Sequence, residues 1–385
     1  MATQGQTIEE YLARWDFKRD PFGESYPYQE GFWAGPEEQV SYLKFLLSNK
    51  AKTEGSVLNI FLQGEYGTGK TYTLRSLQSY VESSLGGLAI YFQIPSKQDL
   101  KGFRDVYREI IAGVGLNTIR DVGKIILDTN KLATKEDFLK FLEQTVQTDD
   151  FRQALANLVF DQDFALTWSW LLGEATIHQQ RSLGFLSSTK DEGLELNIIV
   201  ELLDYLVPSK KFVAVLIDEL ENLVGVSRTV KSIREGFRNL YDKLTYGPRK
   251  GSVAIITSAT IRYVFEIREF LGTPLDDRID ERLAIEPLKE SEVISFVQEL
   301  FQWARDSQDK SLTPKPFKDE EAVNAFVAAA KSEVQAGEET AKGLFTRRKV
   351  IKAGKQLFWR AAFHGVSQID ASFVNRALPA SVTIS

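Results

Sequence analysis

The sequence predicts an α/β fold: a parallel-sheet domain interrupted by a helical insertion and followed by an all-α lid. Three observations predict it. Short apolar runs alternate with amphipathic helical stretches, a glycine-rich turn joins the first run to a helix, and the pattern is wholly helical after Leu288.

In chain order, residues 1–35 are aromatic and broken by Asp20-Pro21-Phe22-Gly23 and Ala34-Gly35-Pro36, which predicts an irregular lead-in packed on the main domain. A helix follows over about Glu37–Asn49. Asn59-Ile60-Phe61-Leu62-Gln63 reads as a short buried strand, and Lys70–Leu85 as the helix after the glycine-rich turn. Leu88–Ile94 is a second strand. From about Asp99 to Gly113, Phe103, Val106, Tyr107, Ile110 and Ile111 recur at helical spacing. Strand and helix in alternation imply crossovers and a parallel sheet.

Residues from about 116 to 206 are mostly helical, an insertion before the sheet resumes at Phe212-Val213-Ala214-Val215-Leu216-Ile217. That unbroken apolar run suits a strand buried on both faces. Ser252–Ser258 is the next strand, and Leu283–Leu288 an edge strand closed by Pro287. Helices are expected over Glu290–Arg305, Asp319–Lys331, Arg347–Phe363 and Asp370–Leu378. The expected domains are 1–288, a nucleotide-binding α/β domain, and 289–385, a helical lid.

With 385 residues the chain is long enough for two domains, and 43% hydrophobic with 26% charged residues excludes both a disordered and a membrane-embedded composition. No apolar run approaches the roughly 20 residues of a spanning helix. The polar amino terminus lacks a secretory pattern, so a cytoplasmic location without membrane contact is expected. The absence of cysteine excludes disulfides, thiolate zinc sites and cysteine nucleophiles, and two isolated histidines, His178 and His364, form no ligand cluster. Any metal is then expected to be Mg2+ arriving with nucleotide. A net charge of −6 argues against a surface coated in basic residues for indiscriminate nucleic-acid binding. Arg347, Arg348, Lys349, Lys352, Lys355 and Arg360 still form a local basic cluster, readable as a binding face or as a solvated helix face.

The strongest chemical signal is Gly64-Glu65-Tyr66-Gly67-Thr68-Gly69-Lys70-Thr71, with Tyr72 following. Its glycines permit bends that turn backbone N–H groups toward phosphate oxygens at a helix's positive end. Lys70 would neutralise the β- and γ-phosphates of ATP, and the Thr71 hydroxyl would ligate Mg2+. Asp218-Glu219 ends the 212–217 strand, where loops from the carboxyl ends of parallel strands converge. Asp218 would hold Mg2+ and Glu219 would polarise the attacking water; the plainer reading is an acidic helix start. Thr257-Ser258 ends the next strand, positioned to hydrogen-bond that water or the γ-phosphate. Arg278 and Arg282 precede the edge strand and could enter a neighbouring subunit's site, or pair with Asp277, Asp280 and Glu281. Arg347 or Arg348, opening a lid helix, could fold over the γ-phosphate, or be surface charge.

In this order the phosphate loop, Asp-Glu pair, strand-end hydroxyl, arginines before an edge strand and arginine in a helical lid resemble the AAA+ ATPases over roughly Phe17–Leu378. Phe17-Lys18-Arg19-Asp20-Pro21-Phe22, Phe32-Trp33-Ala34-Gly35 and Arg282-Leu283-Ala284-Ile285-Glu286-Pro287-Leu288 are similar to the branch of Orc/Cdc6-type initiators and TnsC/TniB-type transposition ATPases. The resemblance implies that the lead-in residues frame adenine, that Arg282 is the better finger candidate and Arg347 the better lid sensor. A narrower likeness links Trp170-Leu171-Leu172-Gly173-Glu174, Leu183-Gly184 and Leu216–Leu223 to P-loop ATPases of bacteriophage-exclusion (BREX) loci. No winged-helix domain is evident after Leu378. The function implied is ATP hydrolysis with Mg2+ by a homo-oligomer (ring, spiral or filament) that associates with duplex DNA and a protein effector. A nucleotide-switched signalling scaffold without DNA is the alternative, and a small-molecule phosphotransferase would leave the lid and Arg282 unexplained.

Overall fold

Runs rich in β-branched and aromatic residues form one five-stranded sheet in the computed structural model, which describes residues 7–23, 37–96, 100–187, 191–223, 227–247, 250–260, 273–305, 316–332 and 345–378. The strands are β1 Val57–Gly64, β2 Leu88–Gln93, β3 Phe212–Asp218, β4 Ser252–Thr260 and β5 Glu281–Ala284, in the order β2-β3-β4-β1-β5. Leu88 lies opposite Val213, Phe212 opposite Ser252 and Ile60 opposite Glu281, all in parallel pairs. β4 runs beside β1 in the same sense: Val253 N–H donates to Ser56 O at 2.9 Å, and four residues on in both, the Thr257 hydroxyl donates to Ile60 O at 3.4 Å. Every residue of β3 is buried, as its unbroken apolar run requires. β1 has later strands of the chain on both sides, the switch point beside which parallel sheets bind ligands.

The described residues cluster into two compact units, each with its own core. The larger comprises Glu38–Gln63 and Leu74–Ala284. Helices are numbered along the chain from α1 Ile8–Ala13, α2 Glu37–Ala51 and α3 Lys70–Ser83; this unit continues with α4 Phe103–Val114, then the expected insertion as α5 Leu116–Asn130, α6 Lys135–Leu142, α7 Asp149–Val159, α8 Phe164–Leu171, α9 Ile177–Ser182 and α10 Glu192–Tyr205, then α11 Arg228–Tyr246. The apolar stripe of α4 is buried at Phe103, Val106, Tyr107, Ile110 and Ile111. α11 meets it at Gly236, where a Cβ would come within 2.2 Å of the Phe103 ring. Trp170 and Phe185 pack edge to face at 4.6 Å within the insertion, and the Trp170 indole N–H donates to Ser187 O at 3.3 Å.

The second unit contains Gly64–Thr73, the described residues up to 23 and those from Ile285 onward. Its core is an aromatic cluster. Phe22 meets Phe358 edge to face at 5.0 Å and Phe301 at 5.8 Å, while Tyr11 meets Phe358 at 6.0 Å. The described lead-in, expected to pack on the main domain, thus shares its core with the carboxyl-terminal helices, where its large apolar rings find their partners. This also corrects the adenine-framing expectation for Phe17 and Phe22, whose rings are buried in this core. The expectation for Phe32-Trp33-Ala34-Gly35 lies outside the described residues.

β5 forms at Glu281–Ala284, not at Leu283–Leu288. Pro287 lacks an N–H for a ladder, and Leu288 N–H instead donates to Phe345 O at 2.8 Å. The lid helices are Glu290–Arg305, Glu320–Ser332, Arg347–Phe363 and Ala371–Ala377.

Candidate phosphate-loop and carboxylate sites

The candidate residues fall in both units, and each group is built by its own unit. Gly64 leaves β1 with Ile285 O so near that an added Cβ would lie 2.5 Å from it. Gly67 and Gly69 take φ of +80° and +109°, values that side chains disfavour. Between them Thr68 is buried, and its hydroxyl donates to Glu65 O at 2.9 Å. Lys70 opens the 14-residue helix α3, Lys70–Ser83, with Thr71 and Tyr72 in its first turn. The Lys70 ammonium donates to Gly64 O at 2.9 Å and Glu65 O at 2.8 Å, which fixes a positive charge over the loop.

A second helix amino terminus abuts the same loop. Thr346 caps the helix Arg347–Phe363, accepting from Lys349 N–H at 3.3 Å. Arg347 is buried, and its Nη1 donates to Thr68 O and, at 3.2 Å, to Glu286 O. Arg348 N–H donates to Gly67 O at 3.2 Å, and its guanidinium lies 4.7 Å from the Tyr66 ring centroid while donating to the Tyr66 hydroxyl. A Cβ on Gly67 would come 2.9 Å from Arg348 Cβ, so the glycine serves this approach as well as the turn. Two helix amino termini, one ammonium and two guanidiniums thus give the loop a strongly positive field.

In the larger unit, β3 ends on Asp218, a buried carboxylate. One oxygen accepts from the Ser258 hydroxyl and from Glu219 N–H at 3.0 Å; the other accepts from the Tyr91 hydroxyl at 3.2 Å. The Arg75 guanidinium stacks 3.4 Å from the Tyr91 ring centroid. Burial, and then the Asp218 charge, push the Tyr91 hydroxyl well above its usual range, so it is a fixed donor. Glu219 sits at φ +57°, a left-handed conformation that costs a non-glycine residue about 1–3 kcal/mol. Its side chain is exposed, and Asn222 Nδ2 donates to it at 3.4 Å and to Ile94 O at 2.8 Å. Partial burial, followed by the charges of Asp218 and Glu221, holds the Glu219 carboxyl above the ordinary glutamate range.

The strand-end hydroxyls have partners within the chain: Ser258 donates to Asp218, and Thr257 donates to the β1 backbone. The arginines pair within the chain, with partners other than the expected Asp277, Asp280 and Glu281. Arg278 grips Asp242 through Nε at 2.6 Å and Nη2 at 2.8 Å, and that bidentate bond raises its proton affinity further. Arg282 bonds the Asp276 carboxylate and, at 3.1 Å, the Asp276 carbonyl. Asp280 instead accepts from Asn59 N–H at 2.7 Å, anchoring the turn before β5 to β1. The sequence reading missed Tyr91, Arg75, Asn222 and Thr346. A threonine before the basic run was a legible helix cap, whereas Tyr91 needed the β2–β3 register, which sets it opposite Leu216.

No protein-family model matches the chain, and no curated protein matches it in sequence. Solved structures do. The chain is similar to the Aeropyrum pernix ORC2 protein in its ADPNP-ADP complexes, with 13% identity over 94% of this chain and 71% of that chain and a TM-score of 0.54. It also matches the A. pernix ORC1 protein in complex with DNA (13% identity, 94% and 68% covered, TM-score 0.49) and CDC6P from Pyrobaculum aerophilum (14% identity, 94% and 71% covered, TM-score 0.48). The parallel sheet with its helical carboxyl-terminal region is the AAA+ P-loop NTPase fold, shared with that ORC2 structure.

Proposed function

We propose that this chain binds ATP with Mg2+ on the Gly64–Thr71 loop, hydrolyses it through Asp218 and Glu219, oligomerises, and acts as a DNA-associated regulator or recruiter. The observation that carries this reading is the loop itself: two glycines at positive φ lead into Lys70 at a helix amino terminus, directly after the switch-point strand. Asp218-Glu219 ends a parallel strand of the same sheet, which supports their acting on the same nucleotide. The fold's likeness to the ORC2 protein, solved as ADPNP-ADP complexes, supports an adenine nucleotide.

The Thr71 hydroxyl and the Asp218 carboxylate are hard oxygen donors of the kind Mg2+ takes, and the ion would neutralise charge between the β- and γ-phosphates. Lys70 binds those phosphates. Ser258 and Tyr91 orient Asp218, leaving Glu219 to accept the proton of the attacking water; its raised proton affinity suits a base. Arg347 reads the loop from within the chain, while Arg282 would leave Asp276 to enter a neighbouring subunit's site. The protein effector that such a regulator recruits belongs to the same reading.

Nucleotide binding and phosphate release should be measured for the wild type, Lys70→Ala and Glu219→Gln, with and without duplex DNA at low salt. Lys70→Ala is expected to lose ATP, and Glu219→Gln to retain it while turning over roughly 10²–10⁴-fold more slowly. A Glu219→Gln protein as fast as wild type would remove the hydrolytic assignment. Neither binding to DNA nor stimulation by it would leave the ATPase standing without its DNA role.

A further inference from the structure

The helix Arg347–Phe363 carries six cations, Arg347, Arg348, Lys349, Lys352, Lys355 and Arg360, and no carboxylate in its 17 residues. The whole chain is −6, so this helix at +6 leaves −12 on the rest. Arg347 and Arg348 are committed to the phosphate loop. Beyond them the solvent side runs Lys352, Lys355, Trp359 and Phe363, a stripe at helical spacing that passes from cations to aromatic rings. Trp359 is 53% exposed and Phe363 70% exposed, although the same helix buries Leu357 and Phe358 completely. The Lys355 ammonium lies 5.0 Å from the Trp359 ring centroid. At the helix's end a concavity of about 410 Å³ is lined by Arg360, His364, Val366, Phe373, Arg376 and Ala377. Arg360 is anchored there, donating to Ala377 O at 2.5 Å, and Arg376 lines the same concavity. Among the described residues, Asp20 acts on Lys355, and Asp370 on Lys318 and Arg376.

From this juxtaposition we infer that the distal solvent face of the helix Arg347–Phe363 binds single-stranded nucleic acid. Cations alone would serve any polyanion. Exposed rings set among them serve a strand whose bases are unpaired, because a duplex hides its base faces in the stack. Lys352 to Phe363 spans about 16 Å along the helix, the length of four to five stacked nucleotides. The phosphates would lie along Lys352, Arg360 and Arg376, with bases against Trp359 and Phe363.

This rests on the nucleic-acid part of the proposed function and not on hydrolysis. The test is fluorescence anisotropy of the full chain with labelled oligothymidine, an abasic strand of equal length and a duplex of equal length, across a salt series. Oligothymidine should bind most tightly. Trp359→Ala or Phe363→Ala should weaken it roughly tenfold while leaving the abasic strand unchanged. Arg360→Ala or Arg376→Ala should weaken both strands alike and reduce the salt slope by about one. Because both rings are exposed, their truncation should leave thermal unfolding unchanged. Absence of oligothymidine binding, aromatic variants with unchanged affinity, or a preference for duplex would each overturn the inference. Oligothymidine binding that survives Lys70→Ala while wild-type hydrolysis is absent would sink the ATPase reading alone.

Discussion

Asp218 is a buried carboxylate that accepts, among the described residues, from two hydroxyls and one N–H, and the two hydroxyls are not equivalent. Ser258 is itself buried, so its truncation removes a donor where no water replaces it. Tyr91 donates at 3.2 Å from a half-buried position, and its ring stays under Arg75 when the hydroxyl is removed. Tyr91→Phe should therefore cost on the order of 1 kcal/mol of carboxylate positioning, and Ser258→Ala more. The measurement is the Mg2+ concentration that half-saturates the proposed ATP hydrolysis. It should rise roughly fivefold for Tyr91→Phe and further for Ser258→Ala, with thermal unfolding of Tyr91→Phe unmoved. An unchanged Mg2+ requirement in both variants would show that these hydroxyls do not position Asp218.

At the scale of elements, the helix Arg347–Phe363 is held against the lead-in by a missing side chain. A Cβ on Gly354 would lie 2.4 to 2.6 Å from three atoms of the Phe22 ring. Alanine is the better helix former by about 1 kcal/mol, but overpacking a closed core costs about 1–3 kcal/mol. Gly354→Ala should accordingly lower the thermal midpoint of the full chain, and adding Phe22→Leu should return part of the loss, a non-additive signature of direct contact. A simple sum of the two single effects would contradict it. The helix itself was legible in the sequence, as were β3, the insertion and the loop, because each is specified by a local pattern. Which core the lead-in joins was not legible, since Tyr11, Phe17 and Phe22 state only that they must be buried. The partner of Arg278 was hidden for the same reason: Asp242 lies 36 residues from Arg278 and meets it only through the packing of α11.

Over the whole molecule the two cores differ in what they bury. The aromatic core buries a cation, Arg305, 4.6 Å from the Phe17 ring centroid, whereas the larger unit encloses a carboxyl group, Glu195 of α10, which is 2% exposed. Arg104 approaches it at 3.6 Å from α4, yet burial dominates and lifts the Glu195 carboxyl from 4.5 to about 7, with Glu192, Asp191 and Asp105 adding to the rise. The direction of the linkage follows. Between those two values the folded chain keeps a proton that the unfolded chain has released, so stability falls as pH rises through this window and levels off above it. The full drop is roughly 3 kcal/mol. Glu195→Gln carries the neutral form at every pH, so urea unfolding should find it close to wild type at pH 5 and more stable than wild type at pH 8. The difference between the two proteins isolates Glu195 from every other titrating group. Equal stabilities at both pH values would mean that Arg104 holds Glu195 ionised, and the larger unit would then enclose an ion pair in place of a proton-binding carboxyl.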